Sequence, residues 1–129
     1  MSRYRTVWIG FCLAMIGATS ACSQDEVTPK GVSAPVPAEL QAGEAKFAAN
    51  CAGCHGPAGI GTSQGPPLVH KIYEPNHHSD AAFQRAAASG VQAHHWGFGN
   101  MPKIETVTPE DVDQIIKYVR WLQKQAGIF

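Results

Sequence analysis

Cysteine is nearly absent from the body of this 129-residue chain. Of four cysteines, Cys12 lies inside an N-terminal apolar run and Cys22 closes it, which leaves Cys51 and Cys54. Two are too few for a disulfide framework. Charge of one sign is also missing. The first 21 residues hold Arg3 and Arg5 and no acid; beyond them eight basic side chains face ten acidic ones, a net charge of −2. That balance excludes the basic face that a nucleic-acid partner requires. No stretch alternates apolar and polar residues as a strand would, and no segment repeats. Methionine is rare: Met1 starts the chain, Met15 sits in the apolar run, and Met101 is the only other one.

Long apolar runs are missing too. The longest, TVWIGFCLAMIGA, has 13 residues, too short to span a bilayer comfortably. It follows the basic start MSRYR and precedes the small residues TSAC. This is the three-part plan of a secretory signal. Residues 1–21 are therefore expected to be a signal peptide. Thr19-Ser20-Ala21-Cys22 resembles a bacterial lipoprotein box, although Thr19 stands where leucine is usual. The resemblance implies an acylated Cys22 as the mature N-terminus and a membrane-anchored protein on the periplasmic side. Simple cleavage after Ala21 would instead leave a soluble periplasmic one. Residues 22–36 contain a polar, proline-rich stretch without amphipathic period, which reads as a flexible linker.

The folded domain is expected over 37–129. Leu40, Gly43, Phe47, Ala48 and Cys51 fall on one helical face, so a first helix should deliver Cys51 and Cys54 at its end, before Gly56 and Pro57 break it. A short helix should begin after Ser79 and stop at Gly90. The clearest helix starts at Thr108. Pro109 takes its first position, Asp111 the capping-box position, and Val112, Ile115, Ile116, Val119 and Leu122 form its apolar stripe. About 40 of the remaining residues read as loop. Loops on that scale suit a small domain only if they wrap something.

The chemistry centres on CAGCH, Cys51 to His55. A thioredoxin-type redox pair would follow a strand and open a helix; this pair closes a helix in a chain without strand patterning. A zinc site needs four ligands, and His77, 23 residues past Cys54, lacks the paired spacing. C-x-x-C-H is the attachment signal of c-type haem. Two thiols a helical turn apart can each add to a vinyl group along one porphyrin edge, and the adjacent His55 can then point beneath the ring to the iron. Met101 lies 46 residues later, in GFGNMPK, a rigid turn ill suited to core packing. A thioether there would complete His/Met coordination and raise the iron potential.

With CAGCH, GPPL (Gly65 to Leu68), NMP and a terminal aromatic helix in place, the segment from about Pro37 to Phe129 resembles a class I monohaem cytochrome c. The resemblance implies an all-α, cytochrome c-like fold, with three to four helices and long loops around one covalent haem. It implies that Cys51 and Cys54 bind the haem and that His55 and Met101 ligate the iron. It also implies that Pro66 offers its carbonyl to His55, that Leu68 packs on the haem, and that Gly43 and Phe47 pack against Tyr118 and Trp121.

The histidines depart from that pattern. His70, His77, His78, His94 and His95 all lie between GPPL and Met101. They are expected to meet haem propionates or solvent, or else to form a second metal site, copper being one suitable ion. Trp96, Tyr73 and Lys71 are further propionate candidates. Lys71 and Lys103 could steer an acidic partner or be simply solvated. The function expected is single-electron transfer between redox protein partners, with no catalytic residue and no small-molecule substrate. The alternatives are a haem subunit of a dehydrogenase or oxidase complex and a histidine-rich metal-binding module. A peroxidase would want an open iron site, which Met101 argues against.

Overall fold

The computed structural model describes residues 34–129. The signal segment, Cys22 and all but the last three residues of the linker lie outside the described residues. Four α-helices appear in chain order: α1 Gln41–Asn50, α2 Ala52–His55, α3 Asp80–Ser89 and α4 Pro109–Gln125. A short 3-10 turn at Ala38–Leu40 leads into α1, and others at Pro57–Gly59 and Lys71–Tyr73 punctuate segments without helical periodicity in the sequence. Among the described residues the only extended pairing is an isolated antiparallel bridge between Val91 and Met101. The architecture is all-α, as the sequence indicated.

Helix α4 is the centre of the core. Its start is fixed as expected: Thr108 Oγ1 accepts from the Asp111 N–H at 3.2 Å, and Asp111 Oδ2 accepts from the Thr108 N–H at 3.0 Å. The stripe Val112, Ile115, Ile116, Val119 and Leu122 is buried, and Tyr118 joins it. Helix α1 crosses this face so closely that a Cβ at Gly43 would stand 2.2 Å from the Gln114 carbonyl oxygen. The absence of a side chain there lets Phe47 reach Tyr118, with ring centroids 5.7 Å apart, and Tyr118 in turn stacks near Trp121 at 6.2 Å. Aromatic rings bury more apolar surface per residue than other side chains, so these three dominate the energetics of a small core.

The first helix differs from its sequence reading in two respects. It breaks at Cys51, whose φ of −121° falls outside the helix, and resumes as α2. The continuous face through Cys51 is thus bent, which turns Cys54 and His55 onto a new direction. Ala48 is exposed rather than inward; Gly43 and Phe47 are the residues of α1 that the crossing buries. Ser79 does occupy the N-cap position of α3, but its side chain makes no capping bond.

Lys46 of α1 bonds to Asp111 at the start of α4. Helped first by that ammonium and then by the Thr108 N–H, the Asp111 carboxyl falls from its ordinary 3.8 to about 2. A carboxylate depressed in the folded state stabilises it above the unfolded value and ceases to as the pH falls through the folded one. Acid unfolding should therefore show a component between about pH 4 and pH 2 that Asp111→Asn removes, measured by circular dichroism. Gly43→Ala should destabilise the protein by about 1–3 kcal/mol through forced separation of α1 and α4, read from urea unfolding of the holoprotein.

Candidate functional site

The break at Cys51 places α2 at the mouth of an apolar pocket of about 600 Å³. That is within the ~300–1,000 Å³ range of cofactor sites. The pocket brings together Cys51, Cys54, His55, Pro66, Leu68 and Met101, the six residues that the resemblance assigned to the haem and its iron. They come from three separate parts of the chain.

His55 is oriented from behind. Its Nδ1 lies 2.8 Å from the Pro66 carbonyl oxygen. A carbonyl can only accept, so Nδ1 carries the proton and Nε2 keeps its lone pair. Burial pushes the imidazole pKa down, partly offset by the Pro66 carbonyl, which favours the neutral ring that a metal requires. Cys51 is half-buried and Cys54 exposed. Burial, and then the neighbouring Cys54, push the Cys51 thiol up to about 11. It stays protonated at neutral pH and is a poor nucleophile on its own. Leu68 is both a core residue beside Phe47 and part of the pocket wall.

Met101 is held by its own backbone. Its N–H and carbonyl exchange bonds with Val91, both 2.9 Å. The chain reaches that bridge only because Gly90, at φ +76°, ends α3 there; a Cβ on Gly90 would meet the Met101 carbonyl oxygen at 2.5 Å. Positive φ is ordinary for glycine and costly for other residues. The Ile104 N–H then bonds to the Ala87 carbonyl at 2.8 Å, returning the loop to α3.

Two residues carry structural weight that the sequence reading did not assign. Gln123 is fully buried and donates to the carbonyls of Leu68, 2.8 Å, and Tyr73, 3.0 Å. Arg120, which in the sequence shows only as a charge favouring the helix dipole, donates to Gln123 Oε1, the Tyr73 and His78 carbonyls and Asp80 Oδ1. Its guanidinium also lies 4.7 Å from the centre of the Phe83 ring. Together they fasten the 68–80 loop to α4. A signal did exist: Val112, Ile116, Val119 and Gln123 share one helical face, so Gln123 is a polar residue at a core position.

The remaining candidates separate. Lys71 pairs with Glu74 and Lys103 with Glu105, both at the exposed surface. Burial raises the Tyr73 phenol pKa, partly offset by the neighbouring Trp96 indole N–H. That buried N–H reaches no acceptor at hydrogen-bond geometry. His70 accepts from the Ile72 N–H at 3.2 Å and meets Trp96 edge-on at 5.2 Å. His77, His78, His94 and His95 gather at the pocket rim. Burial first, then the Ile72 carbonyl acting the other way and the charges of His77, His94 and Arg120, leave His78 with a lowered pKa.

These residues fit a covalently bound porphyrin. The apolar wall matches the ring, two thiols and a pre-oriented imidazole sit at one side, and an orphaned donor on Trp96 suits a carboxylate. The family model for cytochrome c matches residues 40–123. The chain belongs to the cytochrome c family, whose members bind covalent haem c and serve haem-based electron transfer; Cys51 and Cys54 are its attachment cysteines. Among curated proteins no match was found.

The Gln123 clamp gives a test. Gln123→Leu should leave the Leu68 carbonyl without its donor, while the Tyr73 carbonyl keeps Arg120, and cost about 1–3 kcal/mol if water does not reach the unpaired carbonyl. Urea unfolding and the haem absorbance of the variant measure it.

Proposed function

We propose that this protein is a class I monohaem carrier of single electrons, working between redox proteins on the periplasmic side of a bacterial membrane. The observation that carries the reading is the pairing of a pre-oriented His55 with Met101 in one apolar pocket. Haem c supplies one-electron iron chemistry when bound. The chain's own residues do the rest. Cys51 and Cys54 would hold the ring as thioethers, each thiol adding S–H across a vinyl double bond. Pro66 keeps the proton on Nδ1 of His55, leaving Nε2 for the iron. Met101 would be the second side chain to hold the iron, closing it to small molecules and raising its potential. Leu68 and the α4 stripe exclude water. On this reading the protein has no bond chemistry of its own and is not an enzyme.

Met101→Ala should abolish the weak red charge-transfer band of sulfur-ligated ferric haem and lower the midpoint potential. Persistence of the band would reject Met101 as ligand. Replacing both Cys51 and Cys54 by serine should make the haem extractable with acid acetone.

We also propose attachment to the membrane through lipid on Cys22. Support comes from the export segment before it and the polar tether after it. Each methylene buried contributes about 0.8 kcal/mol, so two or three acyl chains hold firmly where one does not. Membrane fractionation should resist high salt, and Cys22→Ser should release the protein. Mass spectrometry of the mature N-terminus decides the matter: an unmodified Cys22, or a start elsewhere, would leave a soluble carrier.

A further inference from the structure

We propose that His77, His78 and His95 form a binding site for a divalent transition-metal ion at the pocket rim, separate from the iron ligands. Each offers one ring nitrogen, and the three nitrogens all lie within 4.8 Å of one another. His77 Nε2 and His95 Nε2 are 3.3 Å apart. With metal–nitrogen distances of about 2.0–2.1 Å, the edge of a tetrahedron is roughly 3.3 Å. The His77–His95 spacing matches one such edge.

The third imidazole is already oriented. His78 Nδ1 donates to the Ile72 carbonyl at 2.7 Å, so its Nε2 carries the free lone pair. A backbone carbonyl behind a ligating histidine is the usual outer-shell support of a metal site. His94 stands next in line, its ring centre 4.3 Å from that of His95. Its Nδ1 donates to the Gln92 carbonyl at 2.8 Å, which again leaves Nε2.

The two loops that bring these rings together are braced independently. The His77 and His78 N–H groups bond to the Glu74 carbonyl at 3.0 and 2.8 Å, and Arg120 holds the His78 carbonyl from α4. On the other side the Ala93 N–H bonds to Asn100 Oδ1 at 2.9 Å. Among the described residues no carboxylate pairs with any of the four rings. Imidazoles crowded without a counter-charge repel each other once protonated, whereas a shared cation uses all of their lone pairs.

The donor set selects the ion. Calcium and magnesium require oxygen ligands. Three imidazoles suit zinc or copper. The His77–His95 spacing fits Zn²⁺, and Cu²⁺ would bind the same nitrogens more tightly wherever the loops permit a flatter arrangement.

The test uses the mature holoprotein, stripped with a chelator and titrated separately with Zn²⁺ and Cu²⁺ against a chromophoric competitor. Wild type and His70→Ala should each take up one equivalent of metal. The doubles His77→Ala/His95→Ala and His77→Asn/His95→Asn should lose at least about tenfold in affinity, the least that removal of a supporting partner causes. Cu²⁺ uptake without Zn²⁺ uptake would keep the site and assign it to copper. The site is overturned if wild type shows no saturating step, as it would if these histidines served haem propionates instead, or if the doubles bind as tightly as wild type. Haem content and spectrum, recorded on the same samples, separate this from the electron-carrier reading. Covalent haem without the metal step rejects the rim site alone; the metal step without covalent haem rejects the carrier reading alone.

Discussion

The close crossing of α1 and α4 at Gly43 is the constraint on which the rest of the molecule depends. A backbone carbonyl of α4 occupies the space where a side chain would stand. Phe47 and Tyr118 meet as a consequence. That contact fixes where α1 ends, and the bend at Cys51 then aims Cys54 and His55 at the pocket. A change of an ångström at the crossing would be carried along α1 to the cysteines, because packed helices shift as rigid bodies rather than deform. The ion pair between Lys46 and Asp111 braces the same crossing from its exposed side.

The second half of the pocket is assembled differently. The 68–80 loop packs Leu68, Val69 and Tyr73 on the core, but its carbonyls need donors in a region partly shut off from water. Gln123 and Arg120 provide them from one face of α4. The same helix that builds the aromatic core therefore positions the loop carrying His77 and His78. Met101 reaches its place through the Val91 bridge and the turn at Gly90. Three modes of support converge on one pocket: helix packing for the cysteines, side-chain donors for the histidine-bearing loop, and a backbone bridge for the methionine.

The electrostatics of the rim are unusual for a surface loop. Lys71 and Lys103 pair with glutamates, Arg120 is turned inward, and exposed Arg85 of α3 also lines the pocket. What faces solvent around the pocket mouth is mostly imidazole and aromatic ring.

The sequence by itself determined the helices with strong signals and the chemistry of the attachment. Thr108-Pro109 with Asp111 dictates the start of α4 because its capping bonds are local. C-x-x-C-H was legible because covalent attachment demands particular atoms at a particular spacing. The bond from His55 to Pro66 was reached only by resemblance to a family, and the tertiary structure shows it as a contact between residues 11 apart. Tertiary structure alone decided the bend at Cys51, the exposure of Ala48, the roles of Arg120 and Gln123, and the meeting of three histidines from two loops. Each of these depends on contacts between segments far apart in the chain. Periodicity reports which face of a helix is apolar, but not which backbone carbonyl of a distant loop will be brought against it.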